Sequence, residues 1–201
     1  MPKRVRVRSK NAIFAAQPKF IFLIVVKVHD RYFRPYISSE EIQQAVERIA
    51  FDIGRTFEGE CPLFLVILNG SFMFAADLMR YLPIDCEICF VKVKSYSGMS
   101  SMGVIEELIG IDVPLRNRPV IVVEDIVDTG HTLNAILHQI AAQQPDQIRV
   151  ACLLHKAEAT QYPLHLDYVG FEIPNKFVLG YGLDYDGLGR NYNEIYQLDE
   201  D

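Results

Sequence analysis

Residues 120–132, Val-Ile-Val-Val-Glu-Asp-Ile-Val-Asp-Thr-Gly-His-Thr, run from an apolar stretch through three carboxylates into a small, hydroxyl-bearing turn. Residues 120–123 are continuously apolar, the pattern of a central strand covered on both faces. From Thr132 onward, Leu133, Ile136, Leu137, Ile140 and Ala141 recur at helical spacing, so Asp128, Thr129, Gly130, His131 and Thr132 span a strand-to-helix turn. N–H groups that open a helix have no partner inside it, and the helix dipole favours an anion there. Gly130 lets the main chain approach closely and Thr129 and Thr132 add hydroxyl donors, which suits a phosphate. Glu124 and Asp125 are expected just past the strand, at the carboxyl edge of a parallel sheet, where such folds bind ligands. Beside a phosphate these acids make sense facing ribose hydroxyls and a divalent cation, since hard oxygen ligands suit magnesium on a phosphorylated substrate. The plainer alternative is an acidic turn that only caps the next helix. No Gly-x-x-x-x-Gly-Lys-Ser/Thr pattern occurs, which excludes a Walker loop.

The frame for this turn reads as alternating helix and strand. Ser38 and Glu41 form a capping-box signature, and Ile42, Ala45, Val46, Ile49, Ala50 and Ile53 mark the core face of the first long helix. Strands are predicted over 63–68, 87–94, 120–123 and 149–154, and helices over 71–81 and 132–143, with Pro145 and Asp146 turning the chain between the last pair. This order argues for an α/β fold with a mostly parallel central sheet flanked by helices. No repeat, low-complexity stretch or interdomain linker interrupts residues 28–201, which read as a single domain.

With 201 residues, 50% of them hydrophobic and 23% charged, the chain can bury one substantial core. A net charge of -6 and a pI near 5.4 disfavour a nucleic-acid footprint, which needs a basic face, and favour small-molecule chemistry. Cys61, Cys86, Cys89 and Cys152 are too scattered for a disulfide scaffold and point to a reduced, cytoplasmic compartment. Cys86 and Cys89 have Cys-x-x-Cys spacing but neither a helix start nor a second such pair, and read as ordinary strand residues. Residues 1–27 are set apart as an extension: Lys3, Arg4, Arg6, Arg8 and Lys10 precede the apolar run 20–26. That resembles a signal peptide, but Lys27 and His29 stand where small cleavage-site residues belong, and no stretch is long enough to span a membrane. The extension is read as a flexible arm, an added edge strand or the product of an upstream start codon.

The turn at 124–132 resembles the phosphoribosyl-pyrophosphate (PRPP) motif of the type I phosphoribosyltransferases. Leu68-Asn69-Gly70-Ser71, Lys94-Ser95-Tyr96-Ser97-Gly98, His155-Lys156 and the segment 169–178, in this order, resemble its hypoxanthine-guanine branch, over about 28–198. The resemblance implies a type I fold with a small hood, a flexible lid loop and a homodimer or homotetramer. It implies Mg2+-dependent transfer of the 5-phosphoribosyl group of PRPP to N9 of a 6-oxopurine, a step of purine salvage.

Site roles follow from the same resemblance. The amides of Thr129, Gly130, His131 and Thr132 hold the 5-phosphate, with His131 in place of the lysine of some relatives. Asn69 and Gly70 bind pyrophosphate through the backbone around a cis Leu68–Asn69 peptide, with Asn69 standing where a lysine is common in the family. Arg190 contacts pyrophosphate, and Ser95 and Tyr96 belong to the lid, whose closure would exclude water from a ribosyl cation. Lys156 donates to the purine 6-oxygen and disfavours adenine, Asp128 handles the N7 proton, and Phe177, following Lys176, stacks on the ring. The main chain of Val178 and a carbonyl near Asp184 read the Watson-Crick edge, while Asp184, with Glu124 and Asp125, serves the metal. His155 has no assigned role, and Phe171 reads as core. The rival readings are a PRPP- or nucleotide-binding regulatory protein of this fold, and a transferase acting on xanthine or a pyrimidine.

Overall fold

In the computed structural model, which describes residues 25–95 and 105–199, two short strands, β1 (Val26–Val28) and β2 (Arg31–Ile37), lead into helix α1 (Ser39–Thr56). Then come β3 (Leu63–Leu68), α2 (Phe72–Tyr81), β4 (Glu87–Ser95), β5 (Ile105–Ile109), β6 (Pro119–Val127) and α3 (His131–Ala142). β7 (Gln147–His155), β8 (Tyr168–Glu172), β9 (Val178–Leu179) and β10 (Ile195–Leu198) complete the order. α1 starts at the capping box: Ser38 N–H donates to Glu41 Oε2 at 2.9 Å and Glu41 N–H donates to Ser38 Oγ at 3.3 Å. Its predicted face, Ile42 through Ile53, is buried.

The large sheet has the order β5-β4-β3-β6-β7-β8, parallel throughout except for β5, which pairs antiparallel with β4. Its central strands explain their unbroken hydrophobicity. Phe64, Val66, Ile121, Val123, Ala151 and Leu153 pack toward α1 and α2, while Leu63, Leu65, Val120, Val122, Val150 and Cys152 pack toward α3. Both faces are covered, and each such aliphatic side chain contributes about 1.5–3 kcal/mol by leaving water.

This strand order places the site. From β3 the chain passes through α2 to β4 on one side, and from β6 it passes through α3 to β7 on the other. The chain ends of β3 and β6, side by side in the sheet, therefore diverge and leave a crevice at their carboxyl ends. Asn69 and Gly70 leave β3 there, and the acids of β6 line it.

β6 corrects one expectation. Glu124 and Asp125 lie inside the strand, because the ladder to β7 continues through Glu124–Cys152, Ile126–Leu154 and Val127–His155. The ladder to β3 stops at Val66–Val123, so the acids are held by one neighbour and face the crevice where the other is missing. Elsewhere the boundaries move by a residue or two: Ser71 caps α2 instead of opening it, α3 starts at His131, and β7 runs from Gln147 to His155.

β1, β2, β10 and β9 form a separate antiparallel sheet, in the order β1-β2-β10-β9, around a small core of Val28, Phe33, Leu179 and Tyr196. This is the hood. Val26 and Lys27, set apart by sequence as part of the extension, pair with Phe33 and Tyr32 in it. Ser95 is the last residue of β4, and Tyr96, like residues 1–24, lies outside the described residues. No helix among the described residues is long and apolar enough to cross a membrane.

Candidate active site

The turn from β6 to α3 has the form its residues require. Gly130 caps α3 at φ +80°, a left-handed conformation that an L side chain adopts only under strain, and a Cβ there would lie 2.5 Å from Leu164 Cδ1. The segment after Lys156 braces the turn from outside: Gln161 N–H donates to Thr129 O at 3.0 Å, and the Tyr162 hydroxyl meets His131 Nδ1 at 2.7 Å. His131 is thus tied back to the protein. A cavity of about 160 Å³ is lined by residues 124–133.

Glu124 and Asp125 are each only 9% exposed. They share a side-chain hydrogen bond, and Asp125 Oδ1 also accepts from Ile126 N–H at 2.9 Å. Burial, then the Asp125 charge, pushes Glu124 well above the usual carboxylate range, and burial raises Asp125 as well. Glu124 Oε2 has no hydrogen-bond partner among the described residues. A buried carboxylate oxygen without a donor is costly, so the site favours the neutral form of Glu124 and is suited to an incoming donor or cation. Cys152, opposite Glu124, is pushed up to about 12, first by burial and then by the two acids, and stays a thiol.

The second predicted loop stands against the first. The Leu68–Asn69 peptide is cis, as the resemblance implied, and Asn69 O accepts from Phe72 N–H at 3.3 Å as α2 begins. The Ser71 hydroxyl, fully buried, donates back to Ile67 O. A Cβ on Gly70 would lie 1.5 Å from Asp125 Oδ2, so no other residue fits between loop and acid. On its other side, a Cβ on Gly182 would lie 1.9 Å from Gly70 O. Asp125, Gly70 and Gly182 therefore form one stack that joins the sheet edge, the β3–α2 loop and the hood loop.

Arg190 closes that stack, donating to Gly182 O at 2.7 Å and pairing with Asp184 Oδ1 at 2.6 Å, while Asp184 Oδ2 accepts from Gly187 N–H at 2.7 Å. Lys156, buried at the end of β7, pairs with half-exposed Asp128 at 2.7 Å. Sequence reasoning assigned these two residues separate parts and missed the pair. Phe177 is 43% exposed, with its ring 6.2 Å from Phe33 and 5.7 Å from Tyr185. Val178 is buried and paired with Gln197, and Lys176 N–H donates to Pro174 O at 2.7 Å. Phe171, expected in the core, is half-buried and packs against it.

Sequence reasoning also missed what holds the hood loop. Tyr181, buried at φ +47°, donates to Asp77 Oδ2 at 2.7 Å, and Gln43 Nε2 donates to the same oxygen at 2.8 Å. Burial and that acceptor push the Tyr181 phenol upward, so it remains a donor. The only sequence signal was the flanking Gly180 and Gly182, which mark a tight turn without naming its partner. Among the described residues no three His, Cys, Asp or Glu come together to cage a metal. A larger cavity, about 470 Å³, opens on the far side of α3 between Leu137, His138, Ile148 and Leu164, and none of the predicted site residues line it.

Comparison with known proteins fits this geometry. The phosphoribosyl transferase domain family matches residues 38–186. A hypoxanthine-guanine phosphoribosyltransferase of Mycobacterium avium is 37% identical over 196 residues, 94% of this chain and 94% of that protein. The one from Aquifex aeolicus is 34% identical over 82% of this chain and 93% of its own. Among solved structures, a hypoxanthine-guanine phosphoribosyltransferase of Bacillus anthracis superposes with a TM-score of 0.77 at 38% identity, covering 82% of this chain and 96% of that one. A Trypanosoma cruzi hypoxanthine phosphoribosyltransferase gives a TM-score of 0.80 at 32% identity, over 87% of this chain and 95% of that one. With the fold and these relatives in agreement, the chain belongs to the phosphoribosyltransferase family, in its hypoxanthine-guanine branch, and is a transferase.

Proposed function

We propose that the chain transfers the 5-phosphoribosyl group of PRPP to N9 of hypoxanthine or guanine, yielding IMP or GMP and pyrophosphate in purine salvage. The observation that carries this reading is the Asp128–Lys156 pair, a carboxylate and an ammonium 2.7 Å apart at the mouth of a phosphate turn. A 6-oxopurine presents N7–H and O6 side by side. Asp128 accepts the N7 proton and Lys156 donates to O6, so the base replaces an ion pair that the free protein already holds. An adenine amino group would present a donor to Lys156 and is rejected.

The amides of residues 129–132 hold the 5-phosphate at the start of α3, and those of Asn69 and Gly70, with Arg190, hold pyrophosphate. Phe177, exposed at the hood, stacks on the purine ring, while the main chain at Val178 and the carbonyl by Asp184 read its Watson-Crick edge. Lys176, next to Phe177, completes the purine side. Ser95 and Tyr96 belong to the lid that excludes water as C1 of the ribose develops positive charge.

The unpartnered oxygen of Glu124 and the raised Asp125 fit a site that receives ribose hydroxyls and, with Asp184, a divalent cation. One or two protein carboxylates suffice for Mg2+ when the substrate supplies the remaining oxygens. Bound there, Mg2+ would neutralise charge on the departing pyrophosphate. The four free cysteines support a reduced, cytoplasmic setting. Exposed Phe72 at the start of α2, with Ile88 and Phe90 on β4, supports a homodimer or homotetramer. The acidic net charge favours small-molecule partners over nucleic acid, and nothing in this reading requires a membrane.

The test is an assay of nucleotide formation with PRPP and Mg2+, comparing hypoxanthine, guanine, xanthine and adenine, alongside Asp128→Asn. Turnover confined to 6-oxopurines, reduced about 10²-fold or more in the variant, is the expected result. PRPP binding without turnover of any base would overturn it in favour of a nucleotide-binding regulator.

A further inference from the structure

His155 closes β7 beside Lys156 and takes no part in the reaction above. Its Nε2 lies 3.2 Å from Thr160 Oγ1, and its Nδ1 lies 3.9 Å from Glu172 Oε1 on β8. The Thr160 hydroxyl in turn stands 3.0 Å from Asp128 O and 3.0 Å from Lys156 O. A hydroxyl has one proton to give and two lone pairs to receive with. Neither carbonyl can donate, so Oγ1–H is directed to them and Nε2–H of His155 donates to Oγ1. That hydrogen-bond logic places a proton on Nε2, while Glu172 Oε1, 3.9 Å from Nδ1, is beyond hydrogen-bond distance.

The main chain follows the same line. Lys156 N–H donates to Val127 O at 2.9 Å, Thr160 N–H to Lys156 O at 3.2 Å and Gln161 N–H to Thr129 O at 3.0 Å. Asp128 and Lys156 come from the ends of two different strands, so the ladder between β6 and β7 brings them near each other but stops at Val127–His155, just before both. Beyond that point the Thr160 hydroxyl is the side-chain group that reaches both carbonyls.

We propose that Thr160, oriented by His155, is a positioning residue that sets Asp128 against Lys156 and so registers the acceptor facing purine N7 with the donor facing O6. The inference rests on the purine reading of that pair. It adds a requirement that the reading alone does not make: the backbone must hold the two residues in register, so that once the base displaces the ion pair the carboxylate stays opposite N7 and the ammonium opposite O6. The purine reading gives Thr160 no contact with substrate, and its hydroxyl is turned to the two carbonyls.

The experiment uses the full chain with Thr160→Val, Thr160→Ser and His155→Leu. Valine removes the hydroxyl and keeps the methyl that faces Gly130. For Thr160→Val the expected result is a fall of about 10- to 100-fold in kcat/KM for hypoxanthine, the scale of a small misplacement of catalytic groups. The PRPP KM stays within about twofold, because the main-chain tie to Thr129 survives. Thr160→Ser restores the rate, and His155→Leu lowers it by less and adds nothing to Thr160→Val. Wild-type constants in Thr160→Val, or a loss that serine does not restore, would overturn the proposal. A second readout needs no turnover: the 15N resonance of the Lys156 ammonium should move in Thr160→Val and return in Thr160→Ser. An unmoved resonance overturns the tie even in an active enzyme, whereas a moved resonance in a wild type without turnover supports the tie and sinks the purine reading.

Discussion

The two walls of the crevice are built by different means. On the sheet side, Glu124 and Asp125 ride on a strand paired through its main chain to β7, and Asp128 follows three residues later. On the hood side, Asp184 and Arg190 ride on a loop in which Tyr181, Asp186, Gly180, Gly182, Gly187 and Gly189 all have positive φ. A ladder of backbone bonds does not depend on any one side chain, so the sheet wall should tolerate substitution of its acids in stability while losing function. The hood loop has main-chain bonds within itself, among them Tyr181 N–H to Tyr192 O and Gly182 N–H to Arg190 O, but it is tied to α2 through the side-chain bond of Tyr181 to Asp77, so one substitution there should shift it.

The largest effect is expected where the walls meet. Gly70→Ala would drive a methyl into Asp125, and the loop must leave the acid, so kcat/KM for PRPP should fall by about 10² to 10³ with the fold retained. A variant with unchanged PRPP kinetics would break the idea that Asp125, Gly70 and Gly182 act as one stack. Next comes Tyr181→Phe, which leaves Asp77 with Gln43 and Arg80 among the described residues. Purine and PRPP KM should both rise, because Gly182 and Arg190 ride on the loop that Tyr181 anchors, and chemical denaturation should register a loss of about 1–2 kcal/mol. An unchanged PRPP KM would mean that the sheet edge keeps its place without the hood loop. Phe177→Leu keeps an apolar side chain and removes the ring face, so purine KM should rise by about five- to tenfold with no change in PRPP binding.

The smallest effect concerns stability alone and works against intuition. Glu124 is raised by burial and by Asp125, so its neutral form is the one the folded state favours. For a group raised in this way, stability is full below the unfolded-state value and declines as pH climbs toward the folded-state value. Glu124→Gln should therefore melt at a higher temperature than wild type at neutral pH, and the gap should close as the pH falls below the ordinary glutamate range. Calorimetry across pH reads this directly, and a variant less stable at neutral pH would mean that Glu124 is ionised and paired in the free protein.

Much of the sheet wall was legible before any coordinates, for local reasons. Residues 63–68 and 120–123 could be read as buried strands because their hydrophobicity does not alternate, and both faces prove to be covered. Gly130 could be read as the opening of a phosphate turn because it sits between an apolar strand and a helical repeat. The misplaced strand end had a physical cause: acids look like the end of a strand, yet β7 kept the ladder going past them. In the hood the same reasoning saw glycines and aromatics but not what they touch, since Phe177 and Tyr185 meet Phe33 from far along the chain.

By itself the sequence determined the strand and helix order and the glycine turn that opens α3, because each depends on neighbours within a few positions. Only the tertiary structure decided that Asp128 faces Lys156, that Gly70 is wedged between Asp125 and Gly182, and that Tyr181 reaches Asp77 across 104 positions. The contact of Gly70 with Asp125 arises where the strand order reverses, and in all three cases packing of elements remote in sequence sets the distances.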